Sequence, residues 1–275
     1  MNIKQVISQR KSIRTYKDKP ISQELKEKLK NYIADVSSPF EPKTRFVLLD
    51  TDDMSPQTKL GTYGVISGAN TFICGITENV ERYEENLGYA FEKIILYATS
   101  LGLGTCWLGG TFNRSNFAEA VRLKENEVIP VVTPVGYAKE KRSFIDAVFV
   151  KGAGSDNRKG WSELFFDGEF GNPLSRETEG RFTDVFDMVR IAPSASNKQP
   201  WRIVKSENMF HFFLCRTPGY KGIVGFDIQR LDIGIAMCHF ELMVQELGLK
   251  GLWVAQDPGI TLEKNTEYII SYVVE

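Results

Sequence analysis

Only two histidines, His211 and His239, occur in the 275 residues. They form no constellation with a nucleophile, and His239, inside an apolar helical run, reads as a satisfied core or interface residue. Four cysteines (Cys74, Cys106, Cys215, Cys238) lie far apart in apolar runs with no CxxC spacing. That disfavours a metal or redox pair; buried, reduced thiols are expected. The glycine-rich stretch 61–70 has neither the GxGxxG nor the GxxxxGK[ST] form, which excludes Rossmann and P-loop readings. Neither charge sign dominates: 34 Lys and Arg stand against 35 Asp and Glu, a net charge of −1. No bulk field therefore points to nucleic acid or to an anionic membrane. No apolar run approaches the roughly 20 residues of a bilayer span. Residues 1–5 lead into an amphipathic segment and not an apolar leader core, so a cytoplasmic protein is expected.

What is present is ordinary globular material, 42% hydrophobic and 25% charged, long enough for an ample core. The periodicity predicts a short helix over 2–9 with Ile3, Val6 and Ile7 on one face, and a helix capped by Ser22. Strands are expected at 45–49 and 71–76. A helix at 88–102, apolar on most faces, belongs at the centre of the fold. A glycine turn (103–110), a helix (113–120) and a strand-like run (128–137) follow, and the run ends in the basic Lys139, Lys141 and Arg142. Residues 151–160 are the best linker. Beyond them are expected a helix at about 178–191, a polar loop, strands from 201 and over 209–215, a long helix at about 229–247 and a strand at 268–274.

Two stretches carry the chemistry. Ala192-Pro193-Ser194-Ala195-Ser196-Asn197-Lys198-Gln199-Pro200-Trp201 is a proline-bounded loop of hydroxyls and amides, rich in donors and acceptors. Arg10-Lys11-Ser12-Ile13-Arg14 is a basic turn. A phosphate site needs guanidinium groups and a hydroxyl donor, and both stand there. Taken singly, each stretch also reads as an ordinary turn.

The chain also repeats itself. Gly88, Ala90, Leu101-Gly102-Leu103 and Trp107 recur as Gly234, Ala236, Leu247-Gly248-Leu249 and Trp253, at a constant offset of 146 (88 to 234, 107 to 253). A repeat of that length means two copies of one unit. The copies are unequal. Residues 36–44 have lost the Ser/Asn loop pattern, while 163–169, where a second basic turn is expected, read Glu-Leu-Phe-Phe-Asp-Gly-Glu.

Together the two stretches, with the helix and glycine turn at 88–110, resemble the nitroreductase family of flavoenzymes, and most closely its fused "TM nitroreductase" subgroup. The resemblance implies an α+β, nitroreductase-like fold. Two homologous α/β halves (1–150 and 161–275, linker 151–160) would intertwine as a single-chain pseudodimer, with central sheets flanked by helices. It implies one composite FMN site per chain and no catalytic side chain, because the flavin carries the chemistry. Arg10, Lys11 and Ser12, helped by Lys141 or Arg142, would hold the phosphate and ribityl end. Arg14 would lie by the pyrimidine edge. Pro193, Ser194, Ala195 and Asn197 would meet the ring and ribityl, Leu108, Gly109 and Gly110 would offer an N–H toward N5, and Tyr63 would line the open face. The activity implied is hydride transfer from NADH or NADPH through FMN to an electron-poor small molecule, a nitroaromatic or a quinone. A monomer without nucleic-acid or membrane partners is expected. Three alternatives remain: a non-catalytic flavin protein (sensor, carrier or remnant) in which Phe165-Phe166 covers the flavin, another flavin reaction on the same fold, and a binding module without flavin.

Overall fold

A computed structural model describes residues 2–54, 60–139, 157–218, 220 and 225–275. The described residues fall into two compact units. One takes those of Met1–Ser8, Gly154–Gly222 and Asp227–Glu275; the other takes those of Gln9–Ala153 and Ile223–Phe226. The main break, between 153 and 154, falls in the stretch expected as a linker, and the segments up to Ser8 and at 223–226 group with the unit of the other half. The first helix, α1 (Ile3–Gln9), is predicted correctly in extent, with Ile3, Val6 and Ile7 buried. Most of it groups with the C-terminal segments: Lys4 pairs with Asp184 at 2.7 Å and the Ser8 hydroxyl donates to Met188 Sδ at 3.6 Å. Of the linker, 151–156 lie outside the described residues.

In the unit holding the basic stretch, α2 (Gln23–Asp35) starts where Ser22 Oγ accepts from the Leu25 N–H. Its sheet joins β1 (Thr44–Asp50), β2 (Thr71–Glu78), β3 (Gly104–Thr105) and β4 (Glu127–Gly136) in the order β1-β2-β4-β3, all antiparallel. The central helix α3 (Tyr83–Ser100) buries residues on nearly every side, as its all-round apolar sequence requires. The short α4 (Arg114–Ala120) is capped by Asn113. Phe72, Phe112, Phe117 and Val132 centre the core beneath it.

In the other unit, α5 (Trp161–Leu164) leads into β5 (Phe165–Asp167). The helix expected at 178–191 is shorter: a 3-10 turn, Gly180–Phe182, precedes α6 (Thr183–Arg190). Then come β6 (Trp201–Ser206), β7 (Met209–Cys215), α7 (Ile228–Glu246), β8 (Gly251–Val254) and β9 (Thr266–Val274). The sheet order is β5-β6-β7-β9-β8, with only β5 parallel to its neighbour. Phe165 and Phe166 are 0% and 6% exposed; Phe165 packs against Trp161 and Phe186, and Phe166 against Val204 and Phe213. None of the four cysteines forms a disulfide among the described residues; Cys74, Cys106 and Cys238 are buried, whereas Cys215, at the end of β7, is only half-buried, a departure from four buried thiols.

The repeat has a physical counterpart. The pairing order β1-β2-β4-β3 recurs as β6-β7-β9-β8. Both central helices end in the same left-handed glycine, Gly102 at φ 77° and Gly248 at φ 74°. In both, the next N–H closes on a carbonyl five residues back, Leu103 on Ala98 (3.0 Å) and Leu249 on Val244 (3.3 Å). At the shared offset, a polar residue in each helix pins the preceding loop. Asn86 accepts from Phe40 N–H (3.2 Å) and donates to Pro42 O (2.9 Å), while Asp232 accepts the Ala195 N–H (3.0 Å).

Candidate functional site

The basic stretch is extended and does not turn. Ser12 bridges Thr105, Thr15 bridges Ser67 and Tyr16 bridges Ala138. Ile13 N–H donates to Thr105 O at 2.8 Å, and Ser67 N–H donates to Arg14 O at 2.9 Å. Side chains alternate along an extended chain, so Ser12 and Arg14 face away from Ile13. Ile13 packs directly on Gly104, where an added Cβ would meet its Cγ1 at 2.8 Å; glycine is required for that approach. The Ser12 hydroxyl makes no hydrogen bond among the described residues, and Lys11 is exposed.

Arg10 is the unusual member. Its side chain is 8% exposed, and Nε lies 4.0 Å from Glu92 Oε1. Nη1 is buried and has no partner among the described residues. A guanidinium N–H in that state is costly unless a ligand or water satisfies it. Glu92 is fully buried on α3, and its Oε2 accepts from Trp107 Nε1 at 2.7 Å. Sequence reasoning missed Glu92. The available signal was a carboxylate inside a helix otherwise apolar on most faces.

The glycine turn continues from β3. Leu108 exchanges both backbone hydrogen bonds with Val132 at 3.0 Å, so its N–H is not open to a ligand. Gly109 O accepts from Arg114 Nη2 at 2.5 Å. The N–H groups of Gly109 and Gly110 find no partner among the described residues. Arg114 lies over the Phe112 ring at 4.8 Å; burial lowers its pKa, and Tyr63 opposes that shift. Tyr63 itself is 69% exposed, in a left-handed conformation at φ 48°. Arg10, Lys11, Ser12, Arg14, Tyr63 and Leu108 to Gly110 thus share one unit. Lys141 and Arg142 lie outside the described residues.

The Ser/Asn loop belongs to the other unit and is knitted inward. Ser196, Asn197 and Gln199 all take positive φ (47°, 54° and 47°), so contacts must hold the loop. Ser194 Oγ accepts from Gln199 N–H at 2.9 Å. Asn197 Oδ1 accepts from Arg158 Nη1 at 3.0 Å, and its Nδ2 donates to Asn157 O at 2.8 Å. The Asn197 amide that the resemblance directs at a ligand is therefore engaged by Arg158 and Asn157, whereas the Ser194 hydroxyl proton is not used by its contact with Gln199. Ala195 N–H is fixed on Asp232, a fully buried carboxyl whose pKa burial raises well above the usual range. Pro193 is half-buried beside these residues. Asp232 and the Arg158–Lys159 pair were not singled out in the sequence; Asp232 could have been found as the repeat partner of Asn86. His239 is a core residue, as expected, with Nδ1 2.9 Å from Met188 O. No helix among the described residues is long and apolar enough to cross a membrane.

Comparison with known proteins agrees with this architecture. A "Putative NADH dehydrogenase/NAD(P)H nitroreductase" from Archaeoglobus fulgidus is 29% identical over 155 residues, 52% of this chain and 88% of the relative. The crystal structure of a "putative nitroreductase" from Thermotoga maritima matches with TM-score 0.63 at 19% identity, covering 100% of this chain and 93% of that one. The α+β architecture is thus the nitroreductase-like fold. An "FMN-dependent Nitroreductase" from Clostridium difficile aligns over 50% of this chain and 88% of its own, at 20% identity and TM-score 0.40. The model of the family described as "Putative TM nitroreductase" matches residues 2–244, most of the chain, and the chain belongs to that nitroreductase family.

Proposed function

We propose that this chain is an FMN-dependent oxidoreductase that takes hydride from NADH or NADPH and delivers it to an electron-poor acceptor, a nitroaromatic or a quinone. Family membership supports a nitroreductase-type oxidoreductase. The observation that carries the flavin reading is the buried, unpartnered Nη1 of Arg10, with the free Ser12 hydroxyl and exposed Lys11 beside it in sequence. Two cations and a hydroxyl suit a phosphate near −2.

FMN, when bound, would supply the carrier that accepts the hydride's two electrons from the nicotinamide and passes them to the acceptor, which no side chain of this chain provides. Arg10, Lys11 and Ser12 would bind its phosphate end. Glu92, beside Arg10 and held by Trp107, would orient that guanidinium. Arg14 would place a fixed positive charge where reduction builds negative charge. Gly109 and Gly110 would donate the backbone N–H that Leu108 cannot. Pro193, Ser194, Ala195 and Asn197, in the other unit, are assigned to flavin binding by the family resemblance alone, with Asn197 shaping its own loop. The recurrence of topology, glycine cap and loop-pinning residue supports an internal duplication; one flavin per chain and a cytoplasmic monomer complete the proposal.

The test is to denature the purified protein and count the flavin released. One FMN per chain is expected. Arg10→Ala with Arg14→Ala should abolish binding, as should Ser194→Ala with Asn197→Ala. FMN affinity that survives both pairs would overturn the assignment. Turnover of acceptors with NADH or NADPH, as opposed to slow air oxidation alone, separates an enzyme from a flavin carrier.

A further inference from the structure

Arg114 opens α4, and its guanidinium donates to backbone carbonyls alone. Nη2 reaches Gly109 O at 2.5 Å and Pro130 O at 3.4 Å, and Nε reaches Ile129 O at 3.4 Å. Among the described residues Nη1 makes no hydrogen bond and no carboxylate pairs with the group. The guanidinium carbon lies 4.8 Å from the centre of the Phe112 ring and 5.8 Å from that of Phe226. Three carbonyls and two rings thus hold a half-buried cation in place. Carbonyl oxygens satisfy its N–H groups but leave its charge unbalanced.

Arg114 lines an open cavity of about 250 Å³, with Asn79, Tyr83, Ala118, Glu127 and Phe226 also in the wall. All six residues belong to the unit of the basic stretch. Glu127 is already committed to other partners. Its Oε1 accepts from Arg45 Nε at 2.8 Å, and its Oε2 accepts from Arg45 Nη2 at 2.7 Å and from the Lys124 N–H at 3.0 Å. Arg45 therefore cancels the Glu127 charge, and Arg114 is left as the excess charge of the wall. Tyr83 and Phe226 supply aromatic surface, and the exposed Asn79 adds an amide. Among the described residues none assigned to flavin binding lines this cavity, and Gly109 gives Arg114 its carbonyl, not its N–H.

Size and charge narrow the ligand. An apolar cavity of about 150 Å³ holds benzene. The volume here suits a single aromatic ring with one small substituent, and it is too small for FMN or a nicotinamide dinucleotide. One unbalanced guanidinium matches one negative charge, and its planar fork suits a carboxylate. We propose that this cavity binds a small aromatic monocarboxylate, with the carboxylate on Arg114 and the ring against Tyr83 and Phe226. The site does not depend on the flavin reading.

The test titrates benzoate and benzamide into the purified protein by calorimetry, with and without added FMN. Wild type should bind benzoate with a Kd of about 1 mM or tighter, and benzamide, of the same shape but uncharged, about ten-fold more weakly. Arg114→Gln should weaken benzoate about ten-fold or more. Ala118→Leu, which fills the cavity and leaves Arg114 in place, should do the same, and it decides the matter if Arg114→Gln does not fold. Added FMN should leave the benzoate affinity unchanged. Absence of benzoate binding, equal binding of benzamide, or equal benzoate affinity in wild type and Ala118→Leu overturns the site. Benzoate binding that requires FMN places the acid on the flavin and overturns it too.

Discussion

Gly104→Ala tests whether the placement of the basic stretch, and not only its charge, determines flavin binding. An added Cβ would lie 2.8 Å from Ile13 Cγ1, 2.9 Å from its Cβ and 3.1 Å from its Cγ2. Carbon atoms pack at about 3.5–4.0 Å, so Ile13 has to retreat by roughly 0.7 Å. Overpacking of that kind costs about 1–3 kcal/mol. The Ile13 N–H to Thr105 bond, 2.8 Å long, is lengthened by the same movement. Ser12 and Arg14 flank Ile13 and move with it, so FMN affinity should fall about ten-fold, equivalent to roughly 1.4 kcal/mol. Gly102→Ala is the control. Its φ of 77° strains an alanine, but nothing lies within 4 Å of the added Cβ. It should cost about 1 kcal/mol of stability and leave FMN affinity alone. Fluorescence titration of FMN, with urea unfolding in parallel, reads both quantities. A Gly104→Ala protein that is destabilised yet binds FMN within about two-fold of wild type would refute the reasoning.

Two carboxyls, Glu127 and the buried Asp232, should give opposite pH signatures. Arg45 holds Glu127 through bonds of 2.8 and 2.7 Å, and the Glu127 pKa falls from 4.5 to about 2. A depressed pKa contributes stability above the unfolded value that is lost as pH falls. Glu127→Gln should therefore cost about 1–2 kcal/mol at neutral pH, after allowance for solvent at Arg45, with the difference vanishing between pH 4.5 and 2 in acid-unfolding curves. Asp232 has a raised pKa, caused first by burial, so its ionisation penalises folding increasingly as pH rises above the ordinary carboxylate range. Asp232→Asn keeps an acceptor for Ala195 N–H and should be more stable than wild type at neutral pH, with the gap narrowing in acid; the opposite trend in thermal midpoints would contradict the burial argument. Phe240, fully buried, meets Phe210, Phe212 and Tyr272 at centroid distances of 4.8, 5.4 and 5.5 Å. Phe240→Ala should cost about 3–5 kcal/mol in urea unfolding, and a smaller loss would mean that the aromatic core collapses around the gap.

Much of this protein is written in local sequence. The all-round apolar runs at 88–102 and 229–247, the Ser22 cap and the Leu-Gly-Leu turns determine helices and their ends through interactions within a few residues; all appear, although the first central helix already starts at Tyr83, five residues before the apolar run. The motifs of the basic stretch and the Ser/Asn loop, with the 146-residue offset, sufficed to recognise the family. Other features arise only when distant segments meet. The two- and four-residue strands β3 and β8 are too short to carry a pattern of their own and exist by pairing with β4 and β9. The 10–14 stretch reads as a turn, yet Thr105 and Ser67 draw it out straight. Helix α1 joins the C-terminal segments, Asn197 turns to Arg158, and Glu92 meets Arg10 and Trp107, partners from 15 to some 180 residues away. Local spacing determines which faces are apolar and where helices stop. Which buried polar atoms are satisfied, and which, such as Arg10 Nη1, find no partner among the described residues, is decided only by tertiary packing, because hydrogen-bond partners are chosen by proximity in space.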